Sequence, residues 1–375
     1  MTRLTLRDFA LVLALLAIGA FFTFKVPDFG FITPRNLSLL MIDFAITATL
    51  AVGMLLVILP GHIDLSAGSG VGLVGGIAAV LIANHAWPAP LAMCVAILAA
   101  LVLWLIMGTL IVRQRIPAFI ITLGGLLVFK GLFWLVIQNH TVPVVTGGQT
   151  NLYSLLTTFY LPHGVGYALA GMVVAAIVAT RLRADAERRV CGLPIDDREL
   201  TFLKLLLSAQ LVFLFVIVTN QFRGVPLPAL ILGVVAFAVW LLTQHTPFGR
   251  YLYAIGGNEE AALLSGIPIQ RVTIGAFMIM GAIVAITGLM QTAYGGASTT
   301  TIGELMELDA VAACVIGGVT LRGGRGTVLG VLFGALVMAS LLNGMTLLAV
   351  QPEQKYIARG LVLILAVWMD VRMAR

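Results

Sequence analysis

The sequence predicts an all-α fold, a polytopic helical membrane protein of about 12 (10–12) transmembrane segments with both termini in the cytoplasm. Three observations predict it. Of 375 residues, 60% are hydrophobic and only 10% are charged, against about 25% charged in soluble domains, and the mean hydropathy is +1.07. The apolar residues fall in runs that suit a bilayer core of about 30 Å, which takes roughly 20 helical residues to cross. The Lys and Arg residues sit in short clusters between those runs, the pattern that fixes orientation in a membrane. The net charge of +6 therefore speaks for topology and not for nucleic acid.

Taken in order, the runs lie near 8–27, 36–59, 63–83, 89–112, 116–137, 163–180, 204–222, 227–243, 272–294, 306–320, 326–350 and 355–371. Arg3 and Arg7 before Phe9–Phe24 imitate a signal peptide, but no small-residue cleavage pattern follows, so the run reads as an uncleaved first helix. Segment 63–83 is weak because it is glycine-rich, and 306–320 because it is short and opens with Glu307 and Asp309. Loop charge tests both. With the termini inside, sixteen basic residues fall on the inner side and five outside (Lys25, Arg35, Arg223, Lys355 and Arg359), with Lys130 inside a span. Removing either weak segment reverses every later loop, so the positive-inside rule requires a crossing at each.

Residues 1–375 read as one membrane domain. Its outer stretch 138–162 has no charged residue, and Tyr153, Phe159 and Tyr160 suit a segment resting at the interface. The inner stretch 181–203, with five basic and five acidic residues, reads as a charged cytoplasmic loop. Cys94, Cys191 and Cys314 are odd in number and far apart, and the five histidines have no metal-ligand spacing. No metal and no cofactor is expected.

Arg250–Arg271 is the most informative stretch. Gly256 and Gly257 break what precedes, Asn258 is a good N-cap, and Glu259 and Glu260 favour the positive end of a helix. Ala261, Ala262, Leu263, Leu264 and Ser265 continue it; Gly266 ends it in a left-handed C-cap, and Pro268 prevents resumption. A helix of about two turns is marginal alone in water. It needs a surface, either its own protein as a plain connector or a cytosolic partner.

GNEEAALLSGI, within that stretch, resembles the coupling segment of permease subunits from bacterial ABC sugar importers of the ribose/xylose/galactose class. AVGMLLVILPGHIDLSAGSGVGLVGGIAA (51–79), IPAFIITLGGLLVFKG (116–131), ELDAVAACVIGGVTLRGG (307–324) and MASLLNGM (338–345) extend the resemblance over most of the chain in the family's order. Its length and the insertion at 181–203 look most like the xylose-type permeases. His62 before IDLS, and Arg322 and Arg325 in the glycine turn, depart from the pattern. The resemblance implies a homodimeric inner-membrane permease, a cytosolic ATP-binding subunit that couples through 258–266, and a periplasmic or extracellular sugar-binding protein. The chain has no G-x-x-x-x-G-K-[ST], so ATP hydrolysis belongs to another polypeptide.

A carboxylate at the centre of a membrane helix costs roughly 2.5–3.5 kcal/mol, so one that is present faces a cavity or a partner. Asp43, Asp64, Lys130, Glu307, Asp309 and Asn343 are such polar residues within spans. Asp64 lies in GHIDLSAGSG with Ser66 and Ser69, where glycines permit unwound backbone. Interrupted spans point to a binding region, which gives Asp64, Ser66, Ser69, Glu307, Asp309 and Asn343 as the expected substrate path. The structural alternatives are that Asp64 caps the helix beginning near Ser66 and that Lys130 pairs with an acidic neighbour. The expected function is import of a monosaccharide, a pentose such as xylose, driven by ATP. The competitors are a branched-chain amino-acid permease, an ion-coupled secondary transporter using Asp43, Asp64 and Asp309, and a membrane-embedded enzyme, which lacks its cluster of paired carboxylates or histidines.

Overall fold

The computed structural model describes residues 6–145, 147–192 and 197–373; Arg3, Asp196 and Arg375, used in the charge argument, lie outside them. The helices are α1 (Leu6–Lys25), α2 (Pro34–Ile58), α3 (Ala67–Ala83), α4 (Ala89–Gln114), α5 (Ala118–Ile137), α6 (Leu152–Thr158), α7 (His163–Val190), α8 (Arg198–Asn220), α9 (Leu227–His245), α10 (Pro247–Gly257), α11 (Glu259–Leu264), α12 (Ile269–Gly295), α13 (Met306–Ile316), α14 (Val328–Leu347) and α15 (Pro352–Met373). Two short strands, β1 (Val142–Pro143) and β2 (Ala297–Ser298), pair antiparallel with Val142 opposite Ser298. Among the described residues eight helices are long and apolar enough to cross a membrane, and Leu11–Lys25 and Ala67–Ala83 are shorter apolar helices.

The centre of the bundle is α2, buried through most of its length, with α9, α12, α13 and α14 packed around it and α3 held between α12, α4 and α5. Close approach depends on small residues. A Cβ on Gly75 of α3 would run into Gly288 and Thr292 of α12, and one on Gly334 of α14 into the Ala313 carbonyl of α13; helices without a hydrophobic drive between them associate through such contacts. Leu13, Leu98, Leu211 and Phe237 face outward from the peripheral helices, as lipid contact requires.

Both weak segments are interrupted helices. At 1.5 Å per residue, α13, with 11 residues, covers about 16 Å, half the bilayer core. It is followed by a turn in which Gly323 and Gly324 have φ of 86° and 75°, where a side chain would be strained. The Gly324 amide donates to the Leu59 carbonyl at 2.9 Å, joining this turn to the end of α2.

Two expectations need correction. Tyr153 does not rest at an interface: it is fully buried, and its hydroxyl donates to the Gly75 carbonyl at 2.9 Å, so α6 is clamped onto α3. The charged stretch 181–203 is mostly helix, since α7 runs to Val190 and α8 starts at Arg198. Its Ala, Arg and Glu residues are strong helix formers, and Arg181 pairs with Asp185 one turn on at 3.3 Å.

Candidate functional site

The break before α3 is held by Asp64. Its Oδ1 accepts from the Ser66 amide at 2.9 Å and the Ser66 hydroxyl at 2.5 Å, and its Oδ2 accepts from Trp104 Nε1 of α4 at 2.7 Å. Thr122 of α5 donates to the Ile63 carbonyl at 3.0 Å. Unwound backbone at membrane depth is tolerated where protein satisfies it, and here three neighbouring elements do so. Asp64 and Ser66 are fully buried and line neither of the polar cavities below. These bonds close Asp64 and Ser66 off from both cavities. The expectation missed Trp104, whose indole N–H is the partner that a carboxylate in an apolar span requires.

The other four residues divide between two adjacent cavities. The first, about 180 Å³, is lined by Ser69, Lys130, Thr300, Glu304 and Glu307. Lys130 Nζ lies 3.8 Å from Glu304, and both side chains are half-exposed. The second, about 380 Å³, contains Asp43 and Thr47 of α2, Tyr294 of α12, Asp309 of α13, Asn343 of α14 and Arg359 of α15. Gly303 and Glu304 line both cavities, so the segment before α13 is the wall between them. In the second cavity Arg359 Nη2 lies 3.3 Å from Asp309 Oδ2, Asn36 Nδ2 donates to Asn343 Oδ1 at 2.9 Å, and Tyr294 and Asn343 reach Asp43. Arg359 was read from the sequence as an outer-loop charge. Its place inside the apolar run 355–371, with an aspartate in a neighbouring span, was the available signal.

At the opposite end from β1 and β2 lies the segment 247–268. Thr246 caps α10, which ends at Gly257, and Asn258 Oδ1 accepts from the Ala261 amide at 2.9 Å to cap α11. The C-terminus of α11 is closed by Gly266 at φ 77°, with Gly266 N–H donating to Leu263 and Ile267 N–H to Ala262. These are the two bonds of a Schellman motif. Ala262 is buried as the foot of the helix, whereas Leu263 and Leu264 are 63% and 89% exposed beside exposed Glu259 and Glu260.

Gly256 packs directly on the Leu59 carbonyl and the Gly323–Gly324 peptide. Tyr253 donates to the Gly326 carbonyl at 2.8 Å. Through α10, the short helix thus adjoins the end of α2 and the turn between α13 and α14. These helices carry Asp43, Asp309 and Asn343. His62 sits in the adjoining connection between α2 and α3; burial pushes its imidazole below its ordinary value, which Glu259 nearby partly offsets.

Comparison with known proteins gives the family. The xylose transport system permease protein XylH of Escherichia coli (strain K12) is 39% identical over 367 residues, 98% of this chain and 92% of that protein. XylH of Haemophilus influenzae is 38% identical over 365 residues, 97% and 96% of the two chains. The ribose import permease protein RbsC of E. coli (strain K12) is 31% identical over 359 residues, 96% and 92%. No solved structure matches at a significant score. The family described as branched-chain amino acid transport system / permease component matches residues 36–367, from the first turn of α2 to the body of α15, and the chain belongs to that family.

Proposed function

We propose that this chain is the membrane-spanning permease subunit of an ATP-driven importer of a monosaccharide, a pentose such as xylose, in a bacterial inner membrane. The named activities of XylH and RbsC, each similar over nearly the whole chain, favour a sugar over a branched-chain amino acid. ATP hydrolysis lies in a separate cytosolic subunit, and a sugar-binding protein delivers substrate from outside. Twelve crossings with both termini inside fit the basic clusters, which gather at the α11 end of the bundle.

The observation that carries the coupling role is the pair of exposed leucines on α11. A two-turn helix capped at both ends, planted on Ala262 and presenting Leu263 and Leu264 to the outside, is built to be pushed. Residues 258–266 are the contact for the ATP-binding subunit, and Gly256 passes its displacement to α2, α13 and α14. Ser69 and Glu307 beside the first cavity, and Asp309 and Asn343 in the second, are the path residues. The half-exposed Lys130–Glu304 pair, flanked on α5 by exposed Leu127 and Leu135, is costly against lipid. This supports a second permease copy covering that face, as a homodimer with the aqueous path along it.

The test is the double variant Leu263→Asp/Leu264→Asp, expressed with its cognate ATP-binding subunit. It should insert at parental levels but fail to retain the ATPase, and xylose uptake should fall at least about tenfold, since burying one leucine at an interface is worth roughly 1.5–3 kcal/mol. Parental uptake by that variant would remove the coupling assignment. Light scattering of the purified parental assembly should give two permease chains per particle.

A further inference from the structure

We propose that the second cavity is a binding site for one cyclic five-carbon sugar within each permease chain, with Asp309 and Arg359 as its recognition pair. The inference rests on the sugar-importer reading and adds a site to it: the permease itself holds its cargo inside a single chain.

The cavity has the size of a small-molecule site, at about 380 Å³. Its wall comes from five helices, α2, α12, α13, α14 and α15. Beside this lining, the wall holds an ion pair that is not fully satisfied. Asp309 is 5% exposed, and its Oδ2 meets Arg359 while its Oδ1 has no hydrogen-bond partner. Arg359 Nε is likewise buried without a partner. Buried polar atoms are ordinarily hydrogen-bonded. One acceptor beside one donor is the complement of a hydroxyl group, which donates to a carboxylate oxygen and accepts from a guanidinium N–H.

The rest of the wall extends the same chemistry. Asp43, Tyr294 and Asn343 form one polar group across the cavity, and Gln291 adds an amide that can both donate and accept. Such mixed lining matches a ring bearing several hydroxyls. It does not match a metal ion, because among the described residues no three His, Cys, Asp or Glu side chains converge. Glu304 belongs to this wall and also pairs with Lys130 in the first cavity, so the two cavities share a polar wall.

The experiment is equilibrium binding of radiolabelled D-xylose to the purified full-length permease in lipid nanodiscs, without binding protein, with unlabelled D-xylose and L-leucine as competitors. The parent should bind one xylose per chain, saturably, with a Kd no weaker than about 1 mM, and leucine should not compete. Asp309→Asn and Gln291→Met should each weaken binding by about tenfold. Asp309→Asn breaks a buried pair and can misfold; Gln291→Met breaks no bond seen in the structure, so its affinity decides where Asp309→Asn does not give a monodisperse protein. If the complete importer takes up xylose while the parental permease shows no saturable binding, or while Gln291→Met binds like the parent, the site is wrong and the importer reading stands. If leucine binds saturably and the complete system does not transport xylose, the sugar reading fails and this site with it.

Discussion

Asp64 shows how much one carboxylate can hold inside a membrane protein. Its two oxygens take three hydrogen bonds from Ser66 and Trp104, and in doing so they keep the chain unwound where α3 would otherwise begin. Truncating such a group leaves the indole N–H buried without an acceptor, at about 1–3 kcal/mol. Asp64→Ala should therefore lower the melting temperature in detergent and the amount in the membrane, with uptake per folded molecule little changed. A parental melting temperature with lost uptake would return Asp64 to the path. His62 gives a pH prediction. Burial lowers its pKa below the ordinary 6.5, so the folded protein binds fewer protons there than the unfolded chain. The resulting stability is full above that value and is lost as the pH falls below it. Between about pH 7.5 and 5.5, the melting temperature of the parent should fall more than that of His62→Gln, measured by differential scanning fluorimetry in the same detergent.

At the scale of elements, the short helix α11 was legible because all its determinants are local. An Asn N-cap, acidic residues in the first turn and a glycine at the C-cap act within a few residues of one another, and each is found in its expected role. Asn258→Ala should cost about 0.5–2 kcal/mol of helix stability, and Gly266→Val should cost more, because a β-branched residue resists positive φ. Hydrogen exchange across 258–267 should rise in both. Gly256 tests transmission rather than docking. Its missing Cβ is what lets α10 touch the Leu59 carbonyl and the Gly324 amide, backbone atoms that cannot swing aside. Gly256→Ala should retain the ATP-binding subunit and its hydrolysis yet lose most xylose uptake. By contrast, α6 and the inner ends of α7 and α8 were misjudged. Aromatic content cannot separate a tyrosine at a lipid interface from one whose hydroxyl meets Gly75, and a charge-rich stretch can be loop or helix.

For the whole molecule, the sidedness of the bundle is the property most open to a direct test. Cys191 is an exposed native reporter in the charged inner stretch. With Cys94→Ser in place, a membrane-impermeant maleimide should label it only in inside-out vesicles. Gln149→Cys in a chain lacking both exposed native cysteines should label only from the outer side of intact cells. Labelling of both from one side would overturn the twelve-crossing arrangement. Within the fold, α10 links α11 to the end of α2 and to the turn between α13 and α14, the route by which the proposed push at α11 would reach the cavities.

Composition, the spacing of apolar runs and the placement of arginines determined that this chain lives in a membrane, and the motif from Asn258 to Gly266 determined a short helix closed at both ends. These are properties of neighbours along the chain or of water against lipid, and need no fold to be read. The tertiary structure alone decided which intramembrane charges are enclosed by hydrogen bonds and which line a cavity. Asp64 and Asp309 are both aspartates in interrupted spans; one is satisfied by Trp104 from forty residues away, and the other is paired to Arg359 on one oxygen and buried without a hydrogen bond on the second. That difference is set by partners distant in sequence, and only packing brings them together.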